Sequence, residues 1–294
     1  MRICAAMIVL NGDHVLQQSL ESIYDFVDEI VIAEGPVKFW QEKGIEKSTD
    51  KTLEIIKSFH DPSKKIKLIS SQYEEKNEQF SAALNLMTKN PDYLIQVDSD
   101  EVWTEESLKN LKNLIQDKKP ISVGVHSYTF VGGFDRVLSG FEENTDNFLR
   151  IFKWEENCKF ITHRPPTILY KDGEQTRGKG HIDSDEARDY YGVSMCHYSY
   201  VWPSQVKSKI DYYKAKVSMH NCIPDFYESY WLPWVMSKTL EEKWEIEKKI
   251  IGMHEFKPEV RGPAFTKKFM QEHPDSIKKS MHHLIKRIDN ELLL

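Results

Sequence analysis

The chain has 294 residues, 40% of them hydrophobic and 12% aromatic. That is enough for a large buried core, in one big domain or one domain with an appendage. Forty basic against 46 acidic residues leave a formal net charge of −6, which excludes a broadly basic nucleic-acid-binding face while leaving room for a local phosphate pocket. The four cysteines, Cys4, Cys158, Cys196 and Cys222, are scattered without a Cys-x-x-Cys pair, so neither a disulfide framework nor a zinc site is indicated, and a cytoplasmic protein with reduced thiols is expected.

Ile3 to Leu10 is an apolar run leading into Asn11-Gly12-Asp13 with no small-residue cleavage site, so it reads as a buried first strand rather than a leader. Leu16, Leu20, Ile23 and Val27 follow at helical spacing. Glu29 to Ala33 reads as a second strand. Ser48-Thr49-Asp50 offers N-cap residues before a helix face of Leu53, Ile56 and Phe59. Ile66 to Ile69 is a third strand, and a helix is expected from about Glu78 to Lys89. The strand Tyr93 to Val97 then runs into Asp98-Ser99-Asp100, and Thr104-Glu105-Glu106 opens a helix with Leu108, Leu111 and Ile115 inward.

Strands alternating with helices predict a mostly parallel central sheet flanked by helices, an α/β, Rossmann-like architecture. Ligands of such sheets bind beyond the carboxyl ends of the strands, so Asn11, Glu34 and Asp98, each just after a strand, are expected to line one crevice. If the chain stays extended past Val97, alternation puts Asp98 and Asp100 on one side. Two such carboxylates suit Mg²⁺ or Mn²⁺, an ion that keeps positions open for substrate phosphates. The bland reading is an Asp-rich turn capping the next helix.

The second half is less regular. Val123 to Phe130, Phe148 to Trp154 and Val193 to Tyr198 read as strands, and Gly132-Gly133 and 172–186 as loops. From Pro203 the pattern turns helical, ending in a stripe of Ile277, Met281, Leu284, Ile288 and Leu292. This predicts a catalytic domain over 1–220 with a helical C-terminal extension over 221–294. No stretch approaches the ~18 apolar residues of a membrane-crossing helix, so any membrane role would be peripheral.

In this order the features resemble a family 2 glycosyltransferase of the GT-A fold. The matching pieces are Val9-Leu10-Asn11, Phe26 to Ile32 ending near Glu34, Ser48-Thr49-Asp50-Lys51-Thr52, Lys76-Asn77, Asp98 to Glu101, Leu149 to Lys153, and His197-Tyr198 with Lys207 or Lys209 and Tyr212-Tyr213. The resemblance covers residues 1 to about 215. It implies transfer of a sugar from a nucleotide-sugar donor, UDP-linked, to a saccharide or other hydroxyl acceptor, with Mn²⁺ or Mg²⁺ and commonly with inversion. It implies Asp100 as the more direct metal ligand, Asp98 as ligand or ribose contact, and His197 as a late metal ligand whose alternative is a hydrogen-bonded core histidine. It places Val9, Asn11, Glu34, Lys76 and Asn77 around the nucleoside, with Asp50 either beside them or capping a helix.

Two departures stand out. Twelve residues, Pro36 to Lys47, separate Gly35 from Ser48 where the family runs on directly. His163-Arg164 stands where relatives often carry His-Glu, so a carboxylate base is missing there. An inverting reaction needs a base for the acceptor hydroxyl. Asp183 is the first candidate, followed by Asp135, Glu142 and Asp185, with His163 a lesser one. Arg177-Gly178-Lys179-Gly180 is either a loop closing over a diphosphate or an exposed turn. The rival functions are a sugar-phosphate nucleotidyltransferase and an inactive carbohydrate-binding protein.

Overall fold

A computed structural model describes residues 1–140, 148–215, 225–249 and 264–293. The chain divides into two compact units. The first comprises 1–126, 146–195 and 274–277, and the second 127–145, 196–273 and 278–294. The units interleave along the sequence.

The first unit holds a seven-stranded sheet. Its strands are β1 (Ile3–Val9), β2 (Glu29–Glu34), β3 (Ile66–Ser70), β4 (Tyr93–Gln96), β5 (Ser122–Gly124), β6 (Leu149–Lys153) and, after the hairpin β7 (Lys159–His163) and β8 (Pro166–Leu169), β9 (His181–Ile182). The order is β9-β5-β6-β4-β1-β2-β3. Only β6 runs against the others, lying antiparallel to both β4 and β5. The helices are α1 (Leu16–Tyr24), α2 (Lys38–Gln41), α3 (Thr52–Ser58), α4 (Lys76–Leu84), α5 (Glu105–Lys118) and α6 (Ser184–Tyr191). The apolar runs of β1, β2 and β4 are buried because helices cover a parallel sheet. Leu16, Leu20 and Ile23 of α1 and Leu108, Leu111 and Ile115 of α5 complete that core.

The expected alternation of strands and helices is present, with shifted ends. The first helix stops at Tyr24 rather than Val27, because Asp28 N already donates to Ile3 O (2.8 Å) as β2 begins beside β1. The fourth spans Lys76–Leu84, not Glu78 to Lys89. Beyond it, the buried Glu29 carboxylate takes the Thr88 hydroxyl (2.9 Å) and amide, drawing the chain out of the helix. The run Val123 to Phe130 is two strands, Ser122–Gly124 and His126–Val131, with a bulge at Gly124. The loop expected over 172–186 contains β9 and the start of α6.

Gly35 leaves β2 at φ +136°, and a Cβ there would stand 1.8 Å from the Ser71 carbonyl oxygen. Gly35→Ala should therefore cost about 2–4 kcal/mol of stability, because backbone rather than a flexible side chain blocks the space. Urea denaturation reads this; a loss below about 0.5 kcal/mol would show that the β2 and β3 exits separate freely.

The second unit combines strands and helices. Arg136–Gly140 pairs antiparallel with Ala264–Lys268, so the region read as a helical extension also contributes a strand. Helices follow at Pro203–Ala215, Leu232–Met236, Leu240–Glu247 and Asp275–Leu292. Phe130 stacks on Tyr198 (4.6 Å), whose hydroxyl donates to His273 Nδ1 (2.8 Å). Among the described residues no helix is long and apolar enough to cross a membrane.

Candidate functional site

The strand order reverses at β1, which has β2 on one side and β4 on the other. This is the switch point at which open α/β sheets place ligands. The loops leaving β1 and β4 meet there: a Cβ on Gly12 would lie 2.5 Å from Ser99 Oγ.

The loop after β1 is stitched to the segment before α3. Asn11 takes φ +51°, a left-handed conformation that Asn tolerates. Its Oδ1 accepts from Thr49 N (2.7 Å) and its own amide donates to Ser48 Oγ (3.0 Å). Gly12 N donates to Thr52 Oγ1 (2.8 Å), and Asp13 N to Asp50 Oδ2 (3.1 Å). Asp50 also accepts from Thr52 N (2.9 Å), the first amide of α3, and burial lifts its carboxyl above the usual range. Glu34, fully buried at the end of β2, accepts from Ser48 N (2.7 Å) and from the Ser70 hydroxyl. Val9 is buried and its carbonyl takes Gly35 N (3.0 Å). Asn11, Glu34 and Asp50 thus meet on one set of loops, and their hydrogen bonds hold the crevice wall in shape.

The acidic motif after β4 is a turn, which corrects the expectation of an extended chain with both carboxylates on one side. Glu101 N donates back to Asp98 O (3.0 Å), while Asp98 N donates to Glu101 Oε2 (3.1 Å). The cause is Arg150. Because β6 is antiparallel to β4, the start of β6 lies beside the end of β4. There the buried Arg150 guanidinium grips both oxygens of the fully buried Glu101 and reaches Asp98 Oδ2 (3.0 Å). Burial alone would raise the Asp98 carboxyl, but Arg150 and Arg164 (3.8 Å away) overcome it and hold it at about 2. Asp100 sits on the turn, partly exposed. The spacing of Asp98 and Asp100 was visible in the sequence, whereas the Glu101–Arg150 pair was not; its signal was an arginine inside the apolar strand Leu149–Lys153.

Behind Asp98 lies His163, buried at the end of β7. Its backbone amide donates to Asn77 Oδ1 (2.7 Å) on α4, and its ring faces Phe80 (5.5 Å). Burial pushes its pKa down to about 3, helped by the positive charges of Arg164, Lys76 and Arg150 and opposed by Asp98. The ring is therefore neutral, and its Nε2 accepts from Gln96 Nε2 (3.2 Å). So weak a base is poorly suited to taking a proton from an acceptor. Asp183 is the exposed N-cap of α6, accepting from Glu186 N (2.8 Å), and it follows the edge strand β9. The capping explains why this stretch is helical rather than a loop. Asp185 pairs with Arg188 (3.1 Å). Arg177 to Gly180 forms a turn closed by its own bonds, Gly178 N to Gln175 O (2.8 Å) and His181 N to Gly178 O (3.1 Å). His197 belongs to the second unit, where it is buried on Ser194–Tyr200, and Asp135 belongs to that unit as well. Glu142 lies outside the described residues.

Among the described residues no group of three or more His, Cys, Asp or Glu side chains is placed to hold a metal ion. A cation at a diphosphate needs fewer, since one or two carboxylates suffice when phosphates and water fill the remaining positions. The partly exposed Asp100, with Asp98 beside it sharing its charge with Arg150, fits that smaller donor set.

Residues 46–169 match the model of glycosyl transferase family 2. The matched segment runs from before α3 to the end of β8 and contains Asp98, Asp100, Arg150 and His163. No curated protein matches the chain. Solved structures similar to it include S. aureus TarS 1–349 in complex with UDP (18% identity, 52% of this chain and 47% of that one, TM-score 0.35). The same protein in complex with UDP-GlcNAc gives 14% identity over 83% and 73%, with a TM-score of 0.38. Glucosyl-3-phosphoglycerate synthase from Mycobacterium tuberculosis, in complex with Mn²⁺, UDP and glucosyl-3-phosphoglycerate, gives 17% identity over 45% of each chain and a TM-score of 0.30. The chain spans about half the length of the first of these.

Proposed function

We propose that the chain is a GT-A-like glycosyltransferase that moves a sugar from a nucleoside-diphosphate sugar, UDP-linked, to an acceptor hydroxyl with inversion. The observation that carries the reading is that the family 2 match contains the Asp98–Asp100 turn, which stands where the strand order reverses. The 1–220 stretch carries the donor site in this reading, and 221–294 is an extension to it.

The diphosphate gathers negative charge as the glycosidic bond breaks. A divalent cation held by Asp100 and the phosphates would supply Lewis-acid stabilisation of that charge when bound. Asp98, kept ionised by Arg150, offers a fixed acceptor for a donor hydroxyl. The Asn11 and Ser48–Thr52 loops present a preformed wall for the nucleoside, with Lys76 and Asn77 opening α4 nearby. A carboxylate takes the acceptor proton; Asp183, the first candidate from the sequence, would have to leave its capping position to do so.

The test is a thermal-shift panel of nucleoside diphosphates, nucleotide sugars and nucleoside triphosphates with and without Mn²⁺. Stabilisation by a UDP-sugar that grows with Mn²⁺, followed by release of UDP in the presence of an acceptor, is the expected result. Stabilisation by triphosphates alone, with pyrophosphate release, would replace this reading with nucleotidyl transfer.

A further inference from the structure

We propose that residues 36–47 form a strap, closed in this structure, which swings away from Tyr73 to open the Glu34 end of the crevice. Both ends of the segment are fixed. At one, the buried Gln79 side chain donates to Ala33 O (3.0 Å) and Gly35 O (3.1 Å). At the other, the Ser48 hydroxyl accepts from Asn11 N and the Ser48 amide donates to Glu34. Between them the chain forms α2 and turns back through Gly44 at φ +80°. Bonds inside that turn, Gly44 N to Gln41 O (2.8 Å) and Ile45 N to Trp40 O (3.1 Å), let it move as one piece.

The middle of the segment is clasped to one residue beyond β3. Tyr73 N donates to Pro36 O (3.0 Å), and Gln41 Nε2 donates to both Tyr73 O (2.8 Å) and Pro36 O (3.0 Å). Lys38 also pairs with Glu74 (3.2 Å), but both side chains are largely exposed, so that pair adds little. Against the clasp stands a cost of closure. Tyr73 is buried, and its hydroxyl has no hydrogen-bond partner among the described residues. Burial and the nearby charges of Glu34 and Glu78 push the phenol up to about 12, which sets it close to the end of β2 and the first turn of α4. A hydroxyl stranded there regains hydration on opening, and this offsets one or two of the clasp's bonds. The closed and open forms are therefore close in free energy, as a switch requires. Glu34 is fully buried in the closed form and so lies out of a ligand's reach until the strap moves.

The strap serves the proposed donor site and rests on that reading for its role, but its opening can be tested without a donor. Amide hydrogen exchange at Tyr73, whose N–H is released when the strap leaves with Pro36, reads the opening in the ligand-free full chain. Gln41→Leu removes the clasp and should speed that exchange about tenfold or more. Tyr73→Phe keeps the ring but removes the stranded hydroxyl, and should slow the exchange about fivefold or more. Exchange at Leu111 in α5 should change less than about twofold in both variants, confirming an intact fold. Tyr73→Phe exchanging as fast as wild type or faster, or Gln41→Leu exchanging no faster, would show a static wall instead of a strap. UDP then separates the two readings. Its association should quicken in Gln41→Leu and slow in Tyr73→Phe; a rate indifferent to both, alongside shifted exchange, would show that the strap does not guard the crevice. The full exchange pattern in a chain that binds no UDP keeps the strap and discards the donor reading. UDP binding with exchange unmoved by either substitution keeps the donor reading and discards the strap.

Discussion

Arg150→Met is expected to destabilise the protein by about 3–5 kcal/mol, because it leaves the buried Glu101 carboxylate and its neighbour Asp98 without their shared cation. Urea denaturation at pH 7 measures this. The pH dependence adds a second readout. Asp98 is held at about 2 in the folded protein, below the unfolded carboxylate value of about 3.9. Its contribution is therefore fully present above about pH 4 and is lost as the pH falls towards 2. Without Arg150 the carboxyl rises, and the acid limb of the stability curve should move to higher pH. The double variant Arg150→Met, Glu101→Leu should recover part of the loss, since it removes the larger buried charge along with its partner. A single-variant loss under about 1 kcal/mol would mean that the network is hydrated and that the turn is held some other way.

The parts legible in the sequence were those set by local pattern. Ile3–Val9 and Tyr93–Gln96 are nearly continuous apolar runs because parallel strands are buried on both faces, and the Leu108, Leu111, Ile115 spacing marked α5. The carboxyl-edge position of Asn11, Glu34 and Asp98 followed from strand order alone. What could not be read depends on pairings distant in sequence. Arg150 and Glu101 lie 49 positions apart, and they meet only because β6 is antiparallel to β4. That pair, rather than strand alternation, sets the path of residues 98–101. Asn11 and Thr49 are 38 apart, and no local pattern reveals the bond that ties their loops together. Ala264–Lys268 pairs with Arg136–Gly140 across more than a hundred residues, which no hydrophobic period reveals. Asp183 illustrates the opposite limit: its helix was locally encoded, by an Asp N-cap, acids at Asp185 and Glu186, and Gly192 at φ +67°.

The contrast between the two aspartates tests the proposed chemistry most sharply. Asp100→Ala should lower glycosyl transfer by about a thousandfold while leaving the melting temperature within about 2 °C, because Asp100 is partly exposed on the turn. Asp98→Asn should lower both activity and stability. Arg150 then loses one of its two anionic partners, and about 1–3 kcal/mol should be lost in urea denaturation. The signature is thus a split: one substitution moves kcat alone, and the other moves kcat together with the unfolding midpoint. If Asp100→Ala retains Mn²⁺-dependent transfer at near wild-type rate, the cation is held elsewhere and the turn serves only to position Asp98. If Asp98→Asn unfolds no more readily than wild type, the ion pair with Arg150 contributes nothing net, and Glu101 alone anchors the end of β4.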